Sequence, residues 1–276
     1  DFLLALRNGV DFQTATLFMD TANNLVTPMF SSDAGLGMTS LAGGPDSILV
    51  PDPTTFRILP WAERTGWVLS EMYLTSGDPM PFDTRQVLKR QLSALREKGY
   101  DYISGLEVEF YITKLEDRKL LPEQSGWPPD PPEVSVIAHG FQYLTETRQD
   151  EIAPILELLQ DNLEPLGLPL RTMEDEWGPG QCEFTFDPVR GLAGADNMLL
   201  FRTATKQICR RAGYHATFMT RPALPNFFSS GWHLHQSLSD TGGQVNMFTN
   251  RDDHDQPLSE LGRQFVAGVL DHAVPS

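Results

Sequence analysis

Glu176-Trp177-Gly178-Pro179-Gly180-Gln181-Cys182-Glu183 sets two acids on either side of a Gly-Pro-Gly turn. Glycine lets the backbone fold tightly and approach a ligand closely. The segment therefore reads as a turn that brings Glu176 and Glu183 to one site from adjacent strands. A surface hairpin with ordinary polar residues is the competing reading.

Two further segments carry the same chemistry. Upstream lies Gly105-Leu106-Glu107-Val108-Glu109-Phe110-Tyr111-Ile112-Thr113. Side chains alternate along a strand, so Glu107 and Glu109 share one face while Leu106, Val108, Phe110 and Ile112 share the other. Carboxylates that close raise each other's pKa unless a cation sits between them. Hard oxygen donors of this kind suit Mg or Mn. Downstream lies Gly231-Trp232-His233-Leu234-His235-Gln236-Ser237, where His233 and His235 share a strand face. Imidazoles ligate metals or donate to phosphate oxygens. Solvated polar faces would explain each segment singly, but would require three coincidences. Together, four acids and two histidines on short strands or tight turns can line one channel. A His-x-His strand also occurs in cupin-type metal sites. A cupin-like oxygenase, binding Fe and ignoring ATP, is the unrelated alternative.

The surrounding sequence supplies strands and helices in alternation, which implies α+β or α/β architecture. Residues 1–24 read as a short helix and an amphipathic stretch. Residues 25–60 are turn-rich around the runs Ile48-Leu49-Val50 and Phe56-Arg57-Ile58-Leu59, and 65–73 alternate as a strand. Asp83 or Thr84 caps a helix through Val87, Leu88, Leu92 and Leu95 that Gly99 stops. The spacing predicts helices over 149–166 and 195–212, and strands over 216–219 and 231–238. The Pro-rich stretch 121–133 reads as irregular. A boundary near residue 80 separates a β-rich unit, 1–80, from a larger one, 81–276.

Composition narrows the classes. The 276 residues are 40% hydrophobic, enough for a real core. A formal net charge of −16, from 37 acids against 21 Lys plus Arg, disfavours nucleic-acid binding. No apolar run approaches the ~20 residues that span a bilayer, and no signal peptide is visible. Two cysteines, Cys182 and Cys209, make no disulfide framework, and a reducing cytoplasmic setting is expected.

In this order, Glu-x-Glu on a strand, Glu-x-Gly-Pro-Gly-Gln-x-Glu, Ala216-Thr217-Phe218-Met219 and Gly-x-His-x-His-x-Ser resemble glutamine synthetases. Pro51-Asp52, Thr55 and Leu59-Pro60-Trp61 support the likeness. The resemblance implies a β-grasp N-terminal domain, here partial, before a catalytic domain with a curved antiparallel sheet. It implies a homo-oligomer of stacked rings with active sites between subunits. It implies a ligase that uses Mg2+ or Mn2+ and ATP to join glutamate to ammonium, giving glutamine through an acyl phosphate. By the same resemblance, Glu109, Glu176 and Glu183 hold one metal and Glu107 and His233 the other. His235 would contact phosphate and Ser237 the nucleotide.

Three departures qualify the substrate. Asn226-Phe227-Phe228-Ser229-Ser230-Gly231 stands where the family has an Asn-Gly-Ser-Gly loop, with Phe228 for the Asn and Ser229 for the first Gly. Ser229 and Gly231 remain candidate substrate contacts. Arg221-Pro222 replaces Lys-Pro, and Arg221 is the third candidate. Asp33 is the candidate for the family's catalytic Asp at the ammonium site. These departures favour an organic, polyamine-type acceptor as the alternative to ammonium, with a catalytically silent relative as a further one. The family's later acids and arginines have no counterpart before Ser276, so the chain reads as truncated at both ends and of little activity by itself.

Overall fold

The computed structural model describes residues 2–117, 121–142, 144–251, 253 and 255–274; Asp1, Pro275 and Ser276 at the ends of the expected units lie outside them. The first part of the chain forms α1 (Phe2–Asn8), β1 (Val10–Gln13), β2 (Asp46–Pro51), β3 (Arg57–Ile58), β4 (Gly66–Trp67) and β5 (Ser70–Leu74). Then come α2 (Thr84–Glu97), β6 (Tyr100–Leu115), β7 (Val134–Val136) and α3 (Glu146–Leu163). The remainder forms β8 (Leu170–Asp175), β9 (Gln181–Phe186), β10 (Val189–Arg190), α4 (Ala193–Ala212), β11 (Tyr214–Thr217), β12 (Trp232–Asp240) and α5 (Glu260–Asp271). The fold is α+β, as the sequence implies.

A three-stranded antiparallel sheet, β1-β2-β5, lies within the first 80 residues. It closes over a small core of Phe18, Met29, Leu41, Met72 and Met80. The second sheet has seven strands and is organised by β6. β10, β9 and β7 pair along one edge of β6, and β12 and β11 pair along the other, all antiparallel. β8 extends the sheet beyond β9. A strand that serves so many partners must be long. The strand expected over 105–113 in fact runs 16 residues, because Tyr100–Ser104 find ladder partners on β12 and Lys114–Leu115 on β7.

The back of this sheet carries the main core. Val108, Phe110 and Ile112 pack with Ile152, Ile155, Leu156, Leu159 and Leu163 from α3 and Leu200, Phe201, Ala204 and Ile208 from α4. Phe110 stacks on Phe218 at 4.9 Å and meets Phe184 and Phe201 edge-on. The stretch expected as strand over 216–219 ends at Thr217, since Phe218 leaves the ladder to make that stack.

Other boundaries shift for local reasons. Asp83 caps α2, accepting from the amides of Arg85 and Gln86 at 2.9 and 3.3 Å. α3 begins at Glu146, earlier than the apolar periodicity suggests. Its last expected turn, Glu164–Leu166, is a 3-10 turn closed by Gly167 at φ 76°. The single strand expected over 65–73 breaks into β4 and β5. Between them, Leu69 is held by Thr55 Oγ1 and by the amide of Asp52. Leu59, Trp61 and Trp67 pack into the larger core although they precede residue 80.

Arg85 ties these layers together. Its guanidinium reaches Asp52 at 2.7 Å, Glu71 at 2.8 Å and Asp196 at 3.0 Å, with its side chain only 9% exposed. The Asp196 hydrogen bonds, with those to Asp52, hold it charged well above its ordinary value despite burial.

Candidate active site

The front face of the large sheet gathers the acids through strand register. Glu109 on β6 lies directly opposite Glu183 on β9, and Glu183 lies opposite Glu174 on β8. One step along, His233 on β12 lies opposite Glu107. Three successive strands thus present a row of carboxylates, and the edge strand adds imidazoles.

The Gly-Pro-Gly turn shapes the next row. A Cβ on Gly178 would sit 2.0 Å from Tyr111 Oη. Gly180 takes φ 74°, and a Cβ there would press within 2.5 Å of the Ile112 carbonyl. Only glycine permits this closeness. The turn sets Glu176 just past β8, its amide donating to the Gln181 carbonyl at 2.9 Å. Glu176 is therefore not the direct cross-strand neighbour of Glu183; Glu174 is. Glu174 has the same strand parity as Glu176, so the alternation already in the sequence could have flagged it.

Each predicted residue has a definite place. Glu107 Oε1 and Oε2 meet His233 Nδ1 at 2.6 Å and His235 Nε2 at 2.9 Å. Glu109 Oε2 accepts from the Gly231 amide at 2.8 Å and Gln181 Nε2 at 2.9 Å. Gln181 Nε2 also reaches Ser230 Oγ at 3.1 Å and the Ser229 carbonyl at 3.4 Å. Ser237 lies farther along β12, opposite Ile103. Arg221 is exposed, near enough to Tyr111 to act on it electrostatically. Asp33 is not brought to these acids by any contact among the described residues. It accepts from Ser31 Oγ and the Gly35 amide, both at 3.0 Å, within its own loop.

Electrostatics corrects one expectation. The sequence suggested that crowding raises the pKa of Glu107 unless a cation sits beside it. Instead, the His235 hydrogen bond, aided by His233 and opposed by burial, holds Glu107 below the usual carboxylate range. The strain falls on Glu183. Burial first, then the charges of Glu107, Glu176, Glu174 and Glu109, push it up to about 7. Glu176 is also raised, chiefly by burial.

A divalent cation fits this arrangement. Glu107, Glu183 and His233 offer ligand atoms all within 4.8 Å of one another. Oxygen donors with one imidazole match Mg or Mn, and a positive charge relieves the crowding on Glu183. Glu109 and Glu176 flank the same cluster.

Behind the acids, a hydroxyl locks the departing loop. Tyr111 Oη accepts from the Phe228 amide at 2.9 Å and lies 3.1 Å from the Phe228 carbonyl and 3.3 Å from Gln181 Oε1. Sequence reasoning missed this network, because Tyr111 shares the acids' strand face yet is fully buried. Tyr111→Phe removes the partner of the part-buried Phe228 amide, and losing such a hydrogen bond costs about 1 kcal/mol. Amide hydrogen exchange at Phe228 should accelerate, with a loss of stability of that order in urea unfolding. Unchanged protection at Phe228 would sink this reading.

The fold is α+β, and its central antiparallel sheet presents an acid–histidine cluster. The chain belongs to the glutamine synthetase family: the family model for the glutamine synthetase catalytic domain matches residues 81–275. It is 41% identical over 273 residues to a γ-glutamylanilide synthase from Acinetobacter sp, covering 96% of this chain and 54% of that protein. It is 32% identical over 233 residues to the glutamine synthetase of Mycobacterium tuberculosis (strain ATCC 25618 / H37Rv), covering 83% of this chain and 49% of that one. The fold matches the crystal structure of a novel glutamine synthase homolog with a TM-score of 0.77 at 23% identity, over 98% of this chain and 57% of the other. The chain spans about half the length of the curated relatives it matches.

Proposed function

We propose that the full-length protein is an ATP-dependent ligase joining an organic amine to the γ-carboxyl of glutamate. The observation that carries this is the Phe228 loop. Tyr111 fixes Phe228 beside the acid cluster, where typical glutamine synthetases have a small polar loop. The likeness to a γ-glutamylanilide synthase at 41% identity supports an organic acceptor. The second reading is ammonium as acceptor and glutamine as product. It is supported by the mycobacterial relative.

On this reading, Glu109, Glu176 and Glu183 would hold one divalent ion and Glu107 and His233 the other, with Glu183 near enough to Glu107 and His233 to lie between the two. Bound Mg2+ or Mn2+ supplies charge neutralisation for phosphoryl transfer. The γ-carboxylate of glutamate takes the terminal phosphoryl group of ATP and ADP leaves. The amine then attacks the acyl carbon, loses a proton and expels phosphate. His235 and Ser237 face the nucleotide, and Ser229, Gly231 and Arg221 the amino-acid substrate. Asp33 would act on the acceptor amine only if delivered by another copy, in line with stacked rings. Residues 1–80 serve as the partial β-grasp unit and 81–276 as the catalytic unit, in a cytoplasmic enzyme. No helix among the described residues is long and apolar enough to cross a membrane.

The test is phosphate release from Mg-ATP with glutamate, using ammonium or a panel of amines as acceptor. Release that depends on glutamate and an organic amine is expected. Release with ammonium alone would make the second reading correct. No release with any acceptor, despite ATP binding, would overturn both.

A further inference from the structure

One buried amide joins three parts of the site. Gln181 opens β9 opposite Tyr111 of β6 and is 2% exposed. Its Oε1 accepts from the Gly178 amide at 2.9 Å. A Cβ on Gly178 would lie 2.7 Å from that oxygen, so a glycine is what lets the turn come so near. The Gly178 N–H can only donate, which fixes the orientation of the Gln181 amide. Nε2 must then face the opposite way, with two hydrogens to place.

Both hydrogens are used. One goes to Glu109 Oε2 at 2.9 Å. The other is shared between Ser230 Oγ at 3.1 Å and the Ser229 carbonyl at 3.4 Å. Ser230 is itself 6% exposed, and its amide donates to the Thr220 carbonyl at 2.6 Å, so this end of the tie is anchored. Glu109 Oε2 takes a second bond from the Gly231 amide at 2.8 Å. Two donors on one oxygen set the rotation of the carboxyl group. Among the described residues, Glu109 Oε1 carries no hydrogen bond, so it is the oxygen left for a cation.

We infer that Gln181 is a positioning residue for the reaction: it turns Glu109 toward its cation and ties that same ligand to the loop from Phe228 to Gly231. This rests on the ligase reading above and adds to it a residue that acts through Glu109. The tie works in both directions. A cation drawing on Glu109 pulls, through Nε2, on Ser229 and Ser230. A substrate that settles the loop steadies Glu109 for the cation. Binding free energies linked in this way are reciprocal. An apolar side chain of the same length would fill the space and carry none of this.

The test compares the native full-length protein with Gln181→Met and Gln181→Asn. Methionine fills the space without a donor. Asparagine keeps the amide but is one methylene too short to span Gly178 and Glu109. Mn2+ alone is titrated by calorimetry, and KM for glutamate and for ATP is measured at saturating Mn2+. Mn2+ affinity should fall about 10- to 100-fold in each variant, the range for residues that orient a metal ligand. KM for glutamate should rise as well, while KM for ATP holds. Tyr111→Phe loosens the same loop at Phe228 but leaves Nε2 on Glu109, so its Mn2+ affinity should stay near the native value. Thermal melting identifies a variant that does not fold, and the other then decides. An equal loss of Mn2+ affinity in Tyr111→Phe would mean that the effect runs through loop order, and would overturn the proposal. Unchanged Mn2+ affinity in the folded Gln181 variants would also overturn it, leaving the ligase reading intact. A native protein that binds no Mn2+ would instead remove the ligase reading itself, and this assignment with it.

Discussion

Glu183→Gln should raise the stability of the metal-free protein and abolish most of the ligase activity proposed for the full-length protein. The two effects have one cause. Glu183 is 9% exposed and faces Glu109 and Glu174 across its two ladders. Its carboxyl titrates at about 7 when folded, against an ordinary 4.5. The folded protein therefore holds this proton more tightly than the unfolded chain does. The sign follows: the associated stability is fully present below the ordinary carboxylate value and is lost as pH rises toward 7. Above that pH, the ionised Glu183 costs on the order of 2 kcal/mol. Glutamine removes the charge at nearly constant volume, so at pH 8 the metal-free variant should melt higher than the native protein. Adding Mg2+ or Mn2+ should raise the native melting temperature substantially and the variant's little. Turnover should fall at least about 100-fold, since even partners behind a metal ligand are worth 10- to 100-fold in affinity or activity. A variant that melts lower without metal would show that crowding does not dominate at Glu183.

Arg85→Ala is expected to cost about 3 kcal/mol, the low end for removing one partner of a buried ion pair. Three carboxylates, Asp52, Glu71 and Asp196, then remain close together with little access to water. Lys89 reaches Glu71 at 2.5 Å and compensates part of the loss. Arg85→Lys keeps the charge but not the fork that serves three acids at once, so it should fall between native and alanine. Urea unfolding read by fluorescence and by far-UV dichroism is the measurement. Loss of coincidence between the two probes is expected in the alanine variant, because Asp52 and Glu71 precede residue 80 and Asp196 follows it. A shift below about 0.5 kcal/mol, the size of ordinary surface changes, would refute the role.

Much of this was legible in the sequence because strand parity and helix period are local properties. Alternation placed Val108, Phe110 and Ile112 behind the sheet and Glu107 and Glu109 in front. The Asp83 cap and the apolar spacing from Ile152 to Leu163 located two helices. What escaped depends on register between distant segments. Nothing near Glu183 in sequence says that Glu174, rather than Glu176, stands opposite it. Nothing near Glu107 says that both imidazoles close on its carboxylate and hold it ionised, leaving the charge conflict to Glu183. The length of β6 was missed for the same reason. Its start is ordered by β12, far along the chain, and its end by β7, beyond the Pro-rich stretch.

β6 has an implication for how the polypeptide is made. It is complete at Leu115, yet its ladder partner β12 begins only at Trp232. At about 5–20 residues per second, the ribosome needs roughly 6–23 seconds to deliver that partner. Until then the Tyr100–Val108 stretch of that edge has no native neighbour, a template for pairing with other nascent chains. Newly made chains should accordingly be most vulnerable to aggregation in this interval, and holding the strand until β12 emerges would be a task for a co-translational chaperone.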